Sequence, residues 1–314
     1  MIDAAQLDAL AAVLREGSFE RAAQALHLTR SAVSQRVKLL EERVGHVLVR
    51  RGSPCTATAE GERVHRHALE RQLAEHEMLL ALRAEGGDGD GPVPDGAPPR
   101  TLAVAVNADT LATWFIAAIA PLATAGRALF DLQVEDQDHS AGLLRQGRVM
   151  AAVTADPQPV QGCVVRPLGA MRYRAIASPA FMDRWFGGRA QGVTGAALAR
   201  APMLVYNRQD ALQARFVRRI AHRALQPPVH WVPSSQGFVD AALAGLGWGM
   251  VPEAMIGPAL ARGELQDLAP GRPTDVPLYW QQWRLDVGLL RDLEQAVLAA
   301  AARALVAPGA RVGR

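Results

Sequence analysis

The stretch AEGGDGDGPVPDGAPPR, residues 84–100, constrains this chain more than any other. Dense in Gly, Pro and Asp, it can propagate neither a helix nor a strand for any distance and reads as a flexible linker or long exposed loop. The 314 residues are therefore expected to fold as at least two units, a division that chain length already favours. Before the break, apolar residues recur at helical spacing. After it, short Val/Ala/Leu runs alternate with amphipathic segments. TLAVAV (101–106), LFDLQVE (129–135) and VMAAVT (149–154) read as strands, with helices at about 110–122 and 139–147 between them. RYRAIAS, MLVY, VHWVP and GWGMVP form a second set, with helices near 209–225 and 235–246; LYWQQW (278–283) and a helix near 286–305 close the chain. Such alternation predicts βαβ units and a mostly parallel sheet, an α/β fold class with an all-α amino-terminal part.

In the amino-terminal unit, Leu7, Leu10, Ala11 and Leu14 share one helical face that ends at Gly17. Ser18 can cap a second helix, whose Ala22, Ala23, Ala25, Leu26 and Leu28 allow close approach. Thr29 or Ser31 caps a third, with Val33, Val37, Leu40 and Val44 inward. Its outward residues are Arg30, Ser31, Ser34, Gln35 and Lys38, with Arg36 at the flank. Residues 27–51 carry six cations (Arg30, Arg36, Lys38, Arg43, Arg50, Arg51) against Glu41 and Glu42, although the whole chain is only +3. Three short helices with a tight turn before the third form a helix-turn-helix, whose third helix offers its front half to the DNA major groove. Gln pairs with adenine, Arg with guanine, and Ser with bases or phosphates. Arg50 and Arg51, after the apolar VLV, would sit on a wing beside the backbone. A solvated surface helix would show the same polar outside and leucine inside, so the pattern alone leaves both readings open.

The run QLDALAAVLREGSFERAAQALHLTRSAVSQRVKLLEERVG, followed by LVRR and TATAEG, resembles the winged helix-turn-helix of LysR-type transcriptional regulators over about the first 65 residues. The resemblance implies double-stranded DNA as partner, with Thr29, Arg30, Ser31, Ser34, Gln35, Arg36, Lys38, Arg50 and Arg51 as DNA-binding residues in a domain spanning 1–57. Residues 58–84 read as one long helix with Leu69, Leu73, His76 and Leu80 in a seam. That seam can pack on its own module; in the resembled family such a linker helix pairs with its counterpart, implying a homodimer and in some members a homotetramer. RNA polymerase is a further candidate partner.

Two βα sets in succession suggest two lobes around a cleft. The family carries a two-lobed, periplasmic-binding-protein-like effector domain, here 101–314, which places lobe one at 101–165 and 269–314 and lobe two at 166–268. Ligands in open α/β sheets bind beyond the carboxyl ends of strands, which points to the loops NADT, EDQD, YNRQD and PSSQ. Asp109, Glu135, Asp136, Asp138 and Asp210 would make that mouth acidic, while Thr110, Ser234 and Ser235 at helix starts could receive a carboxylate. A basic amino acid satisfies both ends. Each of these residues, Asn107 included, is also an ordinary cap or turn former. AVNADTLATW, LQVED, the SS before GFV, and LYW resemble the arginine/lysine-responsive branch of the family. This implies Asn107, Asp109, Thr110, Glu135, Asp136, Tyr206, Ser234 and Ser235 as effector contacts, with lysine or arginine as effector and no cofactor or metal. AALAGLGWGMVPE follows the general family pattern, so both effectors stay open.

Other classes fare badly. No apolar run reaches the roughly 18 residues of a membrane span, and the start lacks a signal-peptide pattern, so a cytoplasmic address is expected. Cys55 and Cys163 have no metal-ligand spacing. HExxH, GxSxG and phosphate-loop motifs are absent, and GLGWG lacks strand–turn–helix context, so catalysis is not expected. The expected function is regulation of a basic amino acid exporter or metabolism gene; the alternative is an architectural or replication-associated DNA-binding protein without effector sensing.

Overall fold

The computed structural model of the chain describes residues 2–84, 100–135, 140–187, 192–285 and 287–307. Asp136, Asp138 and all but the last residue of the expected linker 85–100 lie outside the described residues. Helices α1 (Ala4–Glu16), α2 (Phe19–Ala25) and α3 (Arg30–Val44) are set by their caps. Asp3 accepts from the Ala5 amide, Ser18 from those of Glu20 and Arg21, and Thr29 from that of Ala32, which decides the cap of α3 in favour of Thr29 over Ser31. α1 and α3 end at glycines in the left-handed conformation, Gly17 and Gly45. Leu10, Ala22, Val33, Val37 and Leu40 are buried in a common core. Strands β1 (Val49–Arg50) and β2 (Thr56–Ala57) pair antiparallel as the wing.

Helix α4 (Ala59–Ala84) follows, and its first turn passes so close to the wing that a Cβ at Gly61 would lie 2.0 Å from the Leu48 carbonyl oxygen. The helix is tied to both units. Arg71 pairs with Asp8 of α1, and Gln72 Nε2 donates to the same carboxylate at 2.7 Å. Leu73 and Leu69 pack into the carboxy-terminal core. These two seam residues are therefore occupied within the chain, a correction to the pairing seam suggested by their spacing; the side chain of Leu80 lies outside the described residues. The exposed apolar stripe of α4 is instead Met78, Leu79 and Leu82.

The carboxy-terminal unit runs β3 (Arg100–Val106), α5 (Ala108–Thr110), a π-helical turn at Leu111–Phe115, α6 (Ile116–Thr124), β4 (Ala128–Val134), α7 (Ser140–Arg145) and β5 (Ala151–Thr154). A 15-residue strand, β6 (Cys163–Ala177), then leads into α8 (Pro179–Phe186), α9 (Gly195–Leu198), β7 (Met203–Val205), α10 (Leu212–Ala221) and β8 (Val229–Trp231). Then come α11 (Ser235–Leu243), β9 (Gly249–Pro252), α12 (Glu253–Ala261), β10 (Gln266–Asp267), β11 (Thr274–Trp283) and α13 (Gly288–Ala304). The main sheet has the order β10-β6-β11-β5-β3-β4, with β9 also on β6. Only β3 with β4 and β5 is parallel there; β6 pairs antiparallel with β9, β10 and β11, and β11 antiparallel with β5. The sheet is thus mixed rather than mostly parallel, because β6 and β11 are long strands that cross between the lobes side by side. Their register shifts at Leu278/Tyr279, opposite Gly169. Gly169 has φ +127°, and a Cβ there would meet the Val306 carbonyl at 2.9 Å, so only glycine fits this crossing point.

Candidate functional site

On the amino-terminal module, Thr29, Arg30, Ser31, Gln35 and Lys38 are exposed along α3, with Ser34 and Arg36 half-buried at its flanks. The hydroxyls of Thr29 and Ser31 are 3.0 Å apart. Arg30 is held by Glu20 of α2 at 2.8 Å, and Lys38 leans toward Glu42 at 3.6 Å; both pairs are exposed and weak enough to exchange for phosphate. Arg50 projects from β1, and the Arg51 guanidinium lies 5.2 Å over the Phe19 ring. Arg30, Ser34 and Arg51 line one groove of about 420 Å³ with Ser18, Glu20 and Arg21. Ser18, Arg21 and Ser53 on that groove were not singled out as contacts from sequence, since Ser18 reads there only as a cap.

The second site is a cavity of about 490 Å³ between the lobes. It is lined from the carboxyl ends of four strands: Asn107 after β3, Glu135 after β4, Ala155 after β5 and Tyr206 after β7. Residues at the starts of α5, α10 and α11 also face it: Asp109, Leu212 and Ser235. Phe238, Met250, Val251, Val276 and Pro277 supply apolar wall.

Asp109 sits at the junction of three elements. Its carboxylate accepts from the Tyr173 hydroxyl on β6 at 2.7 Å and from Ser235 Oγ on α11 at 2.6 Å, joining the first turn after β3 to a crossing strand and to lobe two. Burial pushes its pKa up, the two hydroxyl donors oppose that shift, and Asp210 adds to it. Among the described residues no Lys, Arg or His lies within ion-pair distance of it. Asp210 is a turn organiser, accepting from the Tyr206 and Leu212 amides. With Glu135 these make three carboxylates on the wall against one cation, the exposed Arg215.

Of the residues expected from sequence, the cavity brings together Asn107, Asp109, Glu135, Tyr206 and Ser235. Thr110 and Ser234 do not line it. Thr110 points into the core at 0% exposure, and its amide is taken by Asn107 Oδ1 at 2.9 Å. Ser234 is exposed and caps its own helix, accepting from the Gly237 amide at 3.0 Å, so the next residue, Ser235, is the one turned inward. Tyr173, Gln213, Arg215 and Phe238 were missed. Tyr173 lies in the expected strand RYRAIAS, where alternation could have placed it on one face but not beside Asp109. Two buried polar atoms on cavity residues, Asn107 Nδ2 and Gln213 Oε1, lack a partner among the described residues. No group of three or more His, Cys, Asp or Glu there could hold a metal ion, and no helix among them is long and apolar enough to cross a membrane.

Comparison with known proteins bears on the family and the fold. Residues 4–62 match the bacterial regulatory helix-turn-helix protein, lysR family, and residues 95–302 match the LysR substrate binding domain. The chain is similar to the HTH-type transcriptional regulator LysG of Mycobacterium tuberculosis, at 47% identity covering 96% of this chain and 94% of that one. The crystal structure of ArgP from Mycobacterium tuberculosis superposes with a TM-score of 0.83 at 46% identity, over 98% of this chain and 100% of that one. Full-length LysG from Corynebacterium glutamicum with bound effector Arg gives 0.74 at 38% identity, over 97% and 99%. With both modules matched along nearly its whole length, the chain belongs to the LysR family of transcriptional regulators.

Proposed function

We propose that this regulator reads duplex DNA through α3 and the wing and senses arginine or lysine in the interlobe cavity, thereby controlling a gene for basic amino acid export or metabolism. One observation carries the sensing half: half-buried Asp109 turns its carboxyl to two hydroxyl donors across the lobes, with no cation beside it among the described residues. A guanidinium or ammonium group supplies the missing charge, and the starts of α10 and α11 favour the carboxylate of the same molecule. The arginine bound to the Corynebacterium glutamicum relative supports this reading. Asn107, Asp109, Glu135, Tyr206 and Ser235 are the contacts we assign, joined by Tyr173. On the DNA side, Gln35, Ser31 and Arg30 face bases, and Lys38, Arg50 and Arg51 face phosphates. The functional division is a DNA-binding domain to residue 57, a linker helix over 58–84 and an effector domain from 101. Met78, Leu79 and Leu82, 55%, 47% and 59% exposed, are the α4 surface for pairing with a second copy.

Titration of the purified chain against the duplex upstream of its own coding sequence, with and without arginine or lysine, tests the reading. Retardation whose affinity shifts with either amino acid is expected. Retardation indifferent to both, with no heat in calorimetry, would leave a DNA-binding protein without a sensor.

A further inference from the structure

Between the two sites lies Arg66, in the third turn of α4. Its Nη1 donates to the Gln161 carbonyl at 3.1 Å, and its Nη2 donates to those of Leu144 and Arg145 at 3.3 and 3.0 Å. The guanidinium also lies 5.7 Å over the Trp283 ring, whose Nε1 donates to the same Leu144 carbonyl at 3.5 Å. The fit is close: a Cβ at Gly162 would stand 2.9 Å from Nη1. Leu144 and Arg145 close α7, where helix carbonyls carry the negative end of the dipole; the Leu144 carbonyl also accepts from the Gly147 amide at 3.2 Å. Trp283 closes β11.

β11 leads to the cavity, contributing Val276 and Pro277 to its wall at the other end. One planar cation on the helix that leads from the DNA-binding module thus lies on the last residue of a strand that reaches the effector cleft, and on the end of α7 beside it. A fork donating to three carbonyls is chemistry that the single ammonium of lysine cannot reproduce in the same plane.

We infer that Arg66 is the positioning residue that couples the cleft to the DNA-binding helices, by making α4 move with α7 and β11 when the lobes shift. Coupling of this kind needs a ligand with different affinity for two arrangements and a rigid element whose position both sites share. α4 supplies the element; Leu69 and Leu73 pack it on the carboxy-terminal core, Arg100 and the Leu289 amide bond to its Gln72 and Glu77, and the Arg66 fork adds the polar attachment to α7 and β11. The inference rests on the sensing role assigned to the cavity.

The test compares the unaltered chain with Arg66→Met, which keeps an unbranched apolar stem and loses every donor, and Arg66→Lys. L-arginine and L-lysine binding is measured by calorimetry, and affinity for the upstream duplex is measured with and without saturating amino acid. The unaltered chain should change DNA affinity by about fivefold or more on binding amino acid. Arg66→Met should bind amino acid and bare DNA within about twofold of the unaltered chain yet respond by less than about twofold. Arg66→Lys should fall between. A full response in Arg66→Met, or loss of amino acid binding itself, overturns the coupling role. Scanning calorimetry without ligand gives an independent arm. One cooperative transition in the unaltered chain should split in two in Arg66→Met; two transitions in the unaltered chain, or an unsplit one in the variant, overturn it. If the unaltered chain binds neither amino acid, the sensing role fails, while the unfolding arm still decides whether Arg66 joins the modules.

Discussion

The recognition helix and the interlobe cavity are built from similar residues, hydroxyls, amides and charges near helix starts, but they expose them in opposite ways. On α3 most of the polar residues are exposed to solvent, and their ion pairs with Glu20 and Glu42 are exposed too. In the cleft the same chemistry is enclosed, and Asp109 is half-buried with its carboxyl bonded across the lobes. An exposed charge loses little when a partner leaves, whereas an enclosed one is costly without compensation. On the function proposed above, the α3 surface exchanges partners at small cost, and the cavity selects the group that neutralises it.

That contrast can be broken most severely at Asp109. Asp109→Asn keeps the shape and one acceptor oxygen for the two hydroxyls, turns the other into an NH2 donor, and removes the charge. Arginine affinity by calorimetry should fall by about 2–5 kcal/mol, as for the loss of one member of an enclosed charge pair, while affinity for DNA alone stays unchanged. Because burial raises the Asp109 pKa, effector affinity in the unaltered chain should also decline on acidification at a higher pH than an ordinary carboxylate would require. An unchanged arginine isotherm for the variant would remove Asp109 from the site.

The junction between the regions is the next place to press. His65 on α4 is buried, and burial, reinforced by Arg15, lowers its pKa to about 4, against a partial opposing bond at Gln146. A depressed imidazole pKa means that the unfolded chain takes up the proton first. Stability should therefore fall as pH drops from about 6.5 toward 4, by about 3 kcal/mol over the whole window. Urea unfolding at pH 7.5, 6 and 5 should show His65→Leu losing less on acidification than the unaltered chain. Parallel curves would place the acid sensitivity elsewhere. The smallest effect belongs to the open surface. Gln35→Ala should cost about 1–3 kcal/mol against one base pair of the preferred site and little on other sequences. Equal weakening on every duplex would assign Gln35 to the phosphate backbone.

What could be read from the residues follows the same division. The helix-turn-helix is local: caps at Ser18 and Thr29, glycines at 17 and 45 and the Val33/Val37/Leu40 spacing all act within a few positions. The cleft loops were legible because they follow strand ends. Their inward members were not, since Ser234 and Ser235 differ only in which way the first helical turn carries them. Thr110 was misjudged for the same reason. The mixed sheet was hidden because the antiparallel pairing of β6 with β11 joins residues more than 100 positions apart. Neither Tyr173 beside Asp109 nor Arg66 beside Gln161 leaves a trace at short range. Helix α8 was overlooked although Ser178 and Pro179 spell its start.

The most direct measurement is a calorimetric comparison of L-arginine with L-citrulline, which replaces the guanidinium by a neutral urea of nearly the same shape. If Asp109 and its acidic surroundings recognise a cation, arginine binds and citrulline binds at least about tenfold more weakly, a difference of about 1.4 kcal/mol. Equal affinities, or binding of neither arginine nor lysine, would contradict the account.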